Sequence, residues 1–111
     1  MSTDRELLEA AAKAAGMHFE WEKSISDPTR EEPCVFDDDG FGVDWNPLTN
    51  SGDALELAVK LGLDIFCRPG QWSECGRIGQ LGAREPHGDA PVAATCRAIT
   101  RAAAAIGKAS A

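Results

Sequence analysis

No run of apolar residues in this 111-residue chain approaches the ~20 that a membrane-spanning helix needs. The opening MSTDRELLEAAAKAAG carries acids early and lacks the apolar centre of a signal peptide, so a cytoplasmic protein with no membrane contact is expected. Cysteines are few, at 34, 67, 75 and 96, and none stands in a Cys-x-x-Cys pair. With His18 and His87 they offer no metal-ligand spacing, so no metal or other cofactor is expected. In a reducing compartment they are free thiols, with Cys67 and Cys96 on apolar faces. Bases are scarcest in the middle: residues 31–66 hold nine acids and one base, Lys60. That balance excludes direct nucleic-acid binding, which depends on Lys and Arg neutralising phosphates.

Signatures of chemistry are also missing. GRIGQLG lacks the Lys-Ser/Thr ending of a phosphate-binding loop. Asp37-Asp38-Asp39-Gly40 has consecutive acids and an early glycine, unlike a calcium loop, and reads as a solvated turn. Ser73 and Cys75 flank Glu74, but strand alternation sends neighbours to opposite faces. His87 lies in a glycine-rich loop and is expected to face solvent. No nucleophile, base and acid assemble, so the chain is not expected to be an enzyme.

What is present is an ordinary globular composition, 43% hydrophobic and 26% charged, enough for one domain over residues 1–111. Thr3 and Glu6 form a capping box before a helix with a stripe of Leu7, Leu8, Ala11, Ala12 and Ala15, a Glu9–Lys13 pair and Gly16 as its stop. Met17, Phe19 and Trp21 alternate with His18, Glu20 and Glu22, a strand with one wet face. Residues 26–33 read as a loop, followed by short strands near residues 34–36 and 41–43. Asn50 caps a second helix, with Asp53 at its third position, and Leu55, Leu57, Ala58, Val59 and Leu61 predict burial over a wide arc. Gly62 stops it. A hairpin follows, with strands at residues 63–67 and 71–78, then a loop over 79–89. The last helix begins near Pro91 with Val92, Cys96, Ile99, Ala103 and Ile106 facing the core and Arg97, Arg101 and Lys108 outside; residues 107–111 read as a frayed tail.

The order gives an α+β fold: an α-β-α sandwich with a small antiparallel or mixed sheet of about four strands, covered by three helices, αββαββα. The first two units rhyme, since AAKAAGMHFEW and LAVKLGLDIF both run helix, glycine, strand.

DWNPLTNSGDALELAVKLGL, above all Trp45-Asn46-Pro47 followed by Asp53-Ala54-Leu55, resembles the phage ABA sandwich domain family; Asp89 and Ala93-Ala94 are a softer match. The resemblance spans most of the chain. It implies an α-β-α arrangement and a phage or prophage origin, and it implies no reaction.

Trp45, Asn46, Pro47 and Asp53 each have a structural task. The ring enters the core, the proline holds Asn46 extended, and the polar side chains tie the loop to the helix. The alternative is a half-exposed Trp45 as a stacking platform at a helix N-terminus. With catalysis set aside, the acidic middle carries the functional reading. Asp37, Asp38, Asp39 and Asp44 predict a surface that meets a basic host protein, such as a nucleic-acid-binding defence complex whose channel the carboxylates would occupy. A second reading is an oligomeric binder of an anionic nucleotide signal through Trp72, Arg77, Arg84, Arg97 and Arg101; a third is a structural or regulatory phage protein with no ligand. Free strand edges and the Ala-rich last helix make a homodimer an expectation.

Overall fold

The computed structural model describes residues 3–77 and 82–109. Ile78 and residues 79–81, read above as a strand end and part of a loop, lie outside the described residues, as does the tail beyond Ala109.

Local signals set the first helix, α1 (Asp4–Ala14). Thr3 Oγ1 accepts from the Glu6 backbone N–H at 3.2 Å. The capping box is not reciprocal, because the Thr3 hydroxyl donates to the Glu6 carboxylate, at 3.2 Å. The anticipated Glu9–Lys13 pair is replaced: Glu9 sits 3.6 Å from Arg5. Gly16 adopts φ 68°, and the N–H groups of Gly16 and Met17 close back on the Lys13 and Ala12 carbonyls. The second helix, α2 (Ser51–Leu61), ends the same way, with Gly62 at φ 65° and the Gly62 and Leu63 N–H groups on Val59 and Ala58.

Each helix leads into a three-stranded antiparallel meander. After α1 come β1 (His18–Lys23), β2 (Glu31–Phe36) and β3 (Gly42–Asp44). After α2 come β4 (Asp64–Arg68), β5 (Trp72–Gly76) and β6 (Ala83–Pro86). The expected single sheet of about four strands is therefore corrected to two sheets of three, and the order to α-βββ-α-βββ-α. Proline accounts for part of the difference, a β2 expected too short and a β6 read as loop. Pro33 stands in β2, inside the segment expected to be a loop. Its carbonyl accepts from Trp45 N–H at 3.0 Å, but it has no N–H to return, so pairing with β3 stops there. Pro86 ends β6, an edge strand in which a missing donor is tolerated.

The final helix, α3 (Pro91–Ala109), runs through Gly107 and Lys108, which were expected to fray. It packs on α1, α2, β5 and β6. Its small residues Ala98, Ala102, Ala103 and Ala104 are buried, so the face expected to approach a second copy is used within the chain. Leu8, Ala12, Trp45, Ala54, Leu57, Cys75, Cys96 and Ile99 belong to one hydrophobic core joining both halves.

Alternation sorts the residues of each sheet. In the first, Phe19, Trp21, Val35 and Trp45 turn toward the core; in the second, Ser73 and Cys75 do, each 0% exposed beneath α3. α2 departs from expectation. Ala54, Leu57, Ala58 and Leu61 are buried, whereas Leu55 and Val59 are 58% and 73% exposed, so its apolar arc is covered on one side only. Every residue of β4, including Cys67, is exposed, which corrects the expectation that Cys67 is covered.

Candidate functional site

Two surfaces carry unspent chemistry: the outer face of the first sheet and a cleft beside β4.

The register of β1, β2 and β3 places Glu20 opposite Cys34, Cys34 opposite Asp44, and Glu22 opposite Glu32. By alternation all of these share the face turned away from Phe19, Trp21 and Trp45. Four carboxylates, Glu20, Glu22, Glu32 and Asp44, thus stand on one sheet face to which the strands contribute no Lys or Arg. His18, Cys34 and Phe36 share this face, with His18 Nε2 3.7 Å from Glu20 Oε2. Burial first, then the charges of Asp44, Glu22 and Glu32, pushes the Cys34 thiol up, consistent with a crowded negative face. The thiol donates to Asp44 Oδ1 at 3.7 Å.

The β2–β3 loop extends this surface. Asp37, Asp38 and Asp39 are all exposed. Asp37 is also a structural residue, since its Oδ1 accepts from the Asp39 and Phe41 N–H groups at 3.0 and 2.9 Å. Beside the loop, Phe41 and Val43 are 72% and 61% exposed. With Met17, Phe36 and Lys60 they border a hollow of about 610 Å³.

The Trp45-Asn46-Pro47 segment fastens β3 to α2. Trp45 is 3% exposed and meets Phe19 edge-on, ring centroids 5.8 Å apart. Pro47 is fully buried. Asn46 Oδ1 accepts from Leu48 N–H at 3.0 Å, and Asp53 Oδ2 accepts from Asn46 N–H at 3.0 Å. Asn50 Oδ1 caps α2 by accepting from Asp53 N–H at 2.9 Å. Neither Trp45 nor Pro47 has a surface to offer a ligand.

The basic residues expected to hold an anionic ligand fall into separate groups: Arg97 and Arg101 line one hollow of about 480 Å³ and both reach Glu85, whereas Trp72, Arg84 and Arg77 lie elsewhere. Trp72 stacks with Arg84 at 3.9 Å and Arg68 at 5.6 Å on the outer face of the second sheet. Arg84 also pairs with Glu74 at 3.2 Å. Arg77 donates to the Leu61 carbonyl at 3.0 Å, capping α2 at its C-terminal end. Arg97 meets Asp4 at 2.7 Å, and Arg101 meets Glu85 at 2.7 Å.

The second surface was not foreseen. β4 lies to one side of α3, and between α2, β4 and the start of α3 opens a cleft of about 550 Å³. Leu55, Ile65, Val92 and Ile99 make it apolar. His87, expected in solvent, forms part of its wall and is 7% exposed. His87 N–H donates to the Gln71 carbonyl at 2.9 Å, which holds it against the second sheet. Its Nε2 is 2.7 Å from Ser73 Oγ, and Ser73 Oγ is 2.7 Å from Thr95 Oγ1. A Ser–His contact of this length suits a nucleophile and base. Here Ser73 is 0% exposed, so no substrate carbonyl can reach its oxygen.

Among the described residues, no three His, Cys, Asp or Glu side chains gather as a metal site, and no helix is long and apolar enough to cross a membrane. Compared with family models, curated proteins and solved structures, the chain has no match.

Proposed function

We propose that this protein acts by binding, without chemistry of its own, and that it holds a basic partner protein against the outer face of the first sheet. The observation that carries this reading is the strand register that puts Glu20, Glu22, Glu32 and Asp44 on one face, with Asp38 and Asp39 at its border. A rigid sheet presents these charges at fixed spacing, so they steer and orient an approaching cation-rich surface rather than merely solubilise the chain.

The resemblance of Trp45-Asn46-Pro47 and the helix after it to the phage ABA sandwich family supports a phage or prophage source, with the partner a cytosolic host protein. A nucleic-acid-binding defence protein has the complementary charge, and occupying its channel would inhibit it.

The test uses affinity capture from host lysate with Glu20→Gln, Glu22→Gln and Asp44→Asn combined, leaving Asp37 to hold its loop. The expected result is loss of the partner captured by the wild type, and capture by the wild type that weakens as salt rises. Equal capture by the variant would end the proposal. For the anionic-nucleotide reading, Arg77 is taken up as a helix cap, and what is left is two separate groups, Trp72 with Arg68 and Arg84, and Arg97 with Arg101, each already facing a glutamate. A homodimer would use the free edge of β4.

A further inference from the structure

β4 is an edge strand left open on both faces. The order β4-β5-β6 leaves one of its sides unpaired, and every residue from Asp64 to Arg68 is exposed. Phe66 is 64% exposed on the outer face, while Ile65 turns the other way and lines the apolar cleft with Leu55 and Val92. An open edge is a template for a further strand, and proteins that stay single blunt it with lysine, proline or a bulge. β4 carries no lysine or proline, and it pairs with β5 in unbroken register. The other edges are protected. β6 ends on Pro86, and β3 is only three residues long. Counted from Gly16 and Gly62, β1 holds in the first half the place that β4 holds in the second. It carries Glu20 and Glu22, and a two-fold axis at Glu20 or Trp21 would set glutamate against glutamate.

The sequence of β4 names its complement. Asp64-Ile65-Phe66-Cys67-Arg68 matches itself when reversed. In an antiparallel pair of β4 strands with the axis at Phe66, Asp64 stands opposite Arg68 of the second copy, at both ends of the pair. Ile65 stands opposite Cys67 of the second copy, and Phe66 meets its own counterpart. Moving the axis by one residue, to Ile65 or Cys67, sets Asp64 or Arg68 against Phe66, so the charges select a single register. Arg68 lies over the Trp72 ring at 5.6 Å, but among the described residues neither Asp64 nor Arg68 has an ion-pair partner.

We propose that two copies of this chain join through β4, in that register, into one continuous antiparallel sheet of order β6-β5-β4-β4-β5-β6. The axis is perpendicular to the sheet, so α3 of both copies lies on the same side. The two apolar clefts then adjoin across the strand pair, with Ile65 of each copy beside Cys67 of the other. The interface is isologous and closes at two copies. This fixes a register for the β4 edge named above and does not depend on the acidic face of the first sheet.

The test is sedimentation of the full chain over a concentration series. The wild type is expected to dimerise. Asp64→Arg sets arginine against arginine at both ends of the pair, and Arg68→Asp sets aspartate against aspartate. Each should weaken the dimer by about tenfold or more. The double variant, Asp64→Arg with Arg68→Asp, returns opposite charges to both ends and should recover the dimer. Mixing the two single variants should recover it as well, as a heterodimer. Both positions are exposed, and rescue by the second substitution separates a lost contact from a lost fold. A wild type that stays monomeric up to millimolar concentration, single variants that dimerise as tightly as the wild type, or a double variant as weak as the singles would each overturn the proposal. A monomer that still captures a basic partner would remove the dimer and leave the acidic-face reading standing.

Discussion

Gly107 of α3 lies so close to Ala10 of α1 that a Cβ at position 107 would fall on the Ala10 carbonyl oxygen. The tight crossing of these two helices depends on the missing side chain. In an open helix Gly→Ala would stabilise by roughly 0.5–1 kcal/mol. Here the clash is with backbone, which cannot rotate away. Gly107→Ala is expected to destabilise by about 1–3 kcal/mol, read as a lower urea midpoint. An unchanged or raised midpoint would mean that the helices separate at little cost.

Trp45→Ala removes a ring that touches Phe19 and closes the first half of the core. A loss of about 3–5 kcal/mol is expected in denaturant unfolding. Trp45→Phe should recover much of it, because the role is packing.

Asn50→Ala removes the oxygen that caps α2 and should cost about 1 kcal/mol. Asp53→Ala should also cost stability, but by freeing the Asn46 N–H rather than by uncapping the helix. Because Asn50 bonds the Asp53 N–H and both residues bond Asn46, the two losses should not add in the double variant, and a double-mutant cycle should show a coupling of at least about 0.5 kcal/mol.

Burial, with a smaller push from Asp64, holds the Cys75 thiol up at about 12 against an ordinary value of 9.0. Unfolded, it gives up its proton first. Its contribution to stability is therefore complete below pH 9 and drains away as pH rises toward 12, by about 1.4 kcal/mol per pH unit. Burial raises Cys96 in the same sense. Alkylation of the native protein near pH 8 should label exposed Cys67 and spare Cys75 and Cys96. Rapid labelling of Cys75 would contradict its placement beneath α3.

The helices were legible in the sequence because their boundaries are local. Thr3 and Asn50 start helices by accepting one hydrogen bond each, and Gly16 and Gly62 stop them with one backbone angle. β1 was legible from alternation alone. β2 and β6 were harder, since Pro33 and Pro86 carry the local mark of a loop. Each is tolerated for a nonlocal reason: the ladder from Pro33 toward β3 ends there, and Pro86 sits on a sheet edge. Shortening β2 also hid Glu32 from the acidic face, although Glu20 and Glu22 already stood on the wet side of β1. The burial of His87 has no local signature; it follows from pairing with Gln71 and cover from α3. The cleft did leave a trace. Residues counted from Gly16 and Gly62 show two aromatics, Phe19 and Trp21, answered by Ile65 and Cys67.

The dependence of both halves on α3 has a consequence for how the molecule is made. Asp4 and Arg97, which meet at 2.7 Å, are 93 residues apart in the chain. Everything that α3 covers is synthesised before it. While the ribosome is still producing the segment after β6, the inner sides of α1, α2 and the second sheet have no lid, and closing them requires a long-range search. A nascent chain halted before Pro91 should therefore remain protease-sensitive and adhesive, and acquire resistance only when the alanine-rich segment emerges.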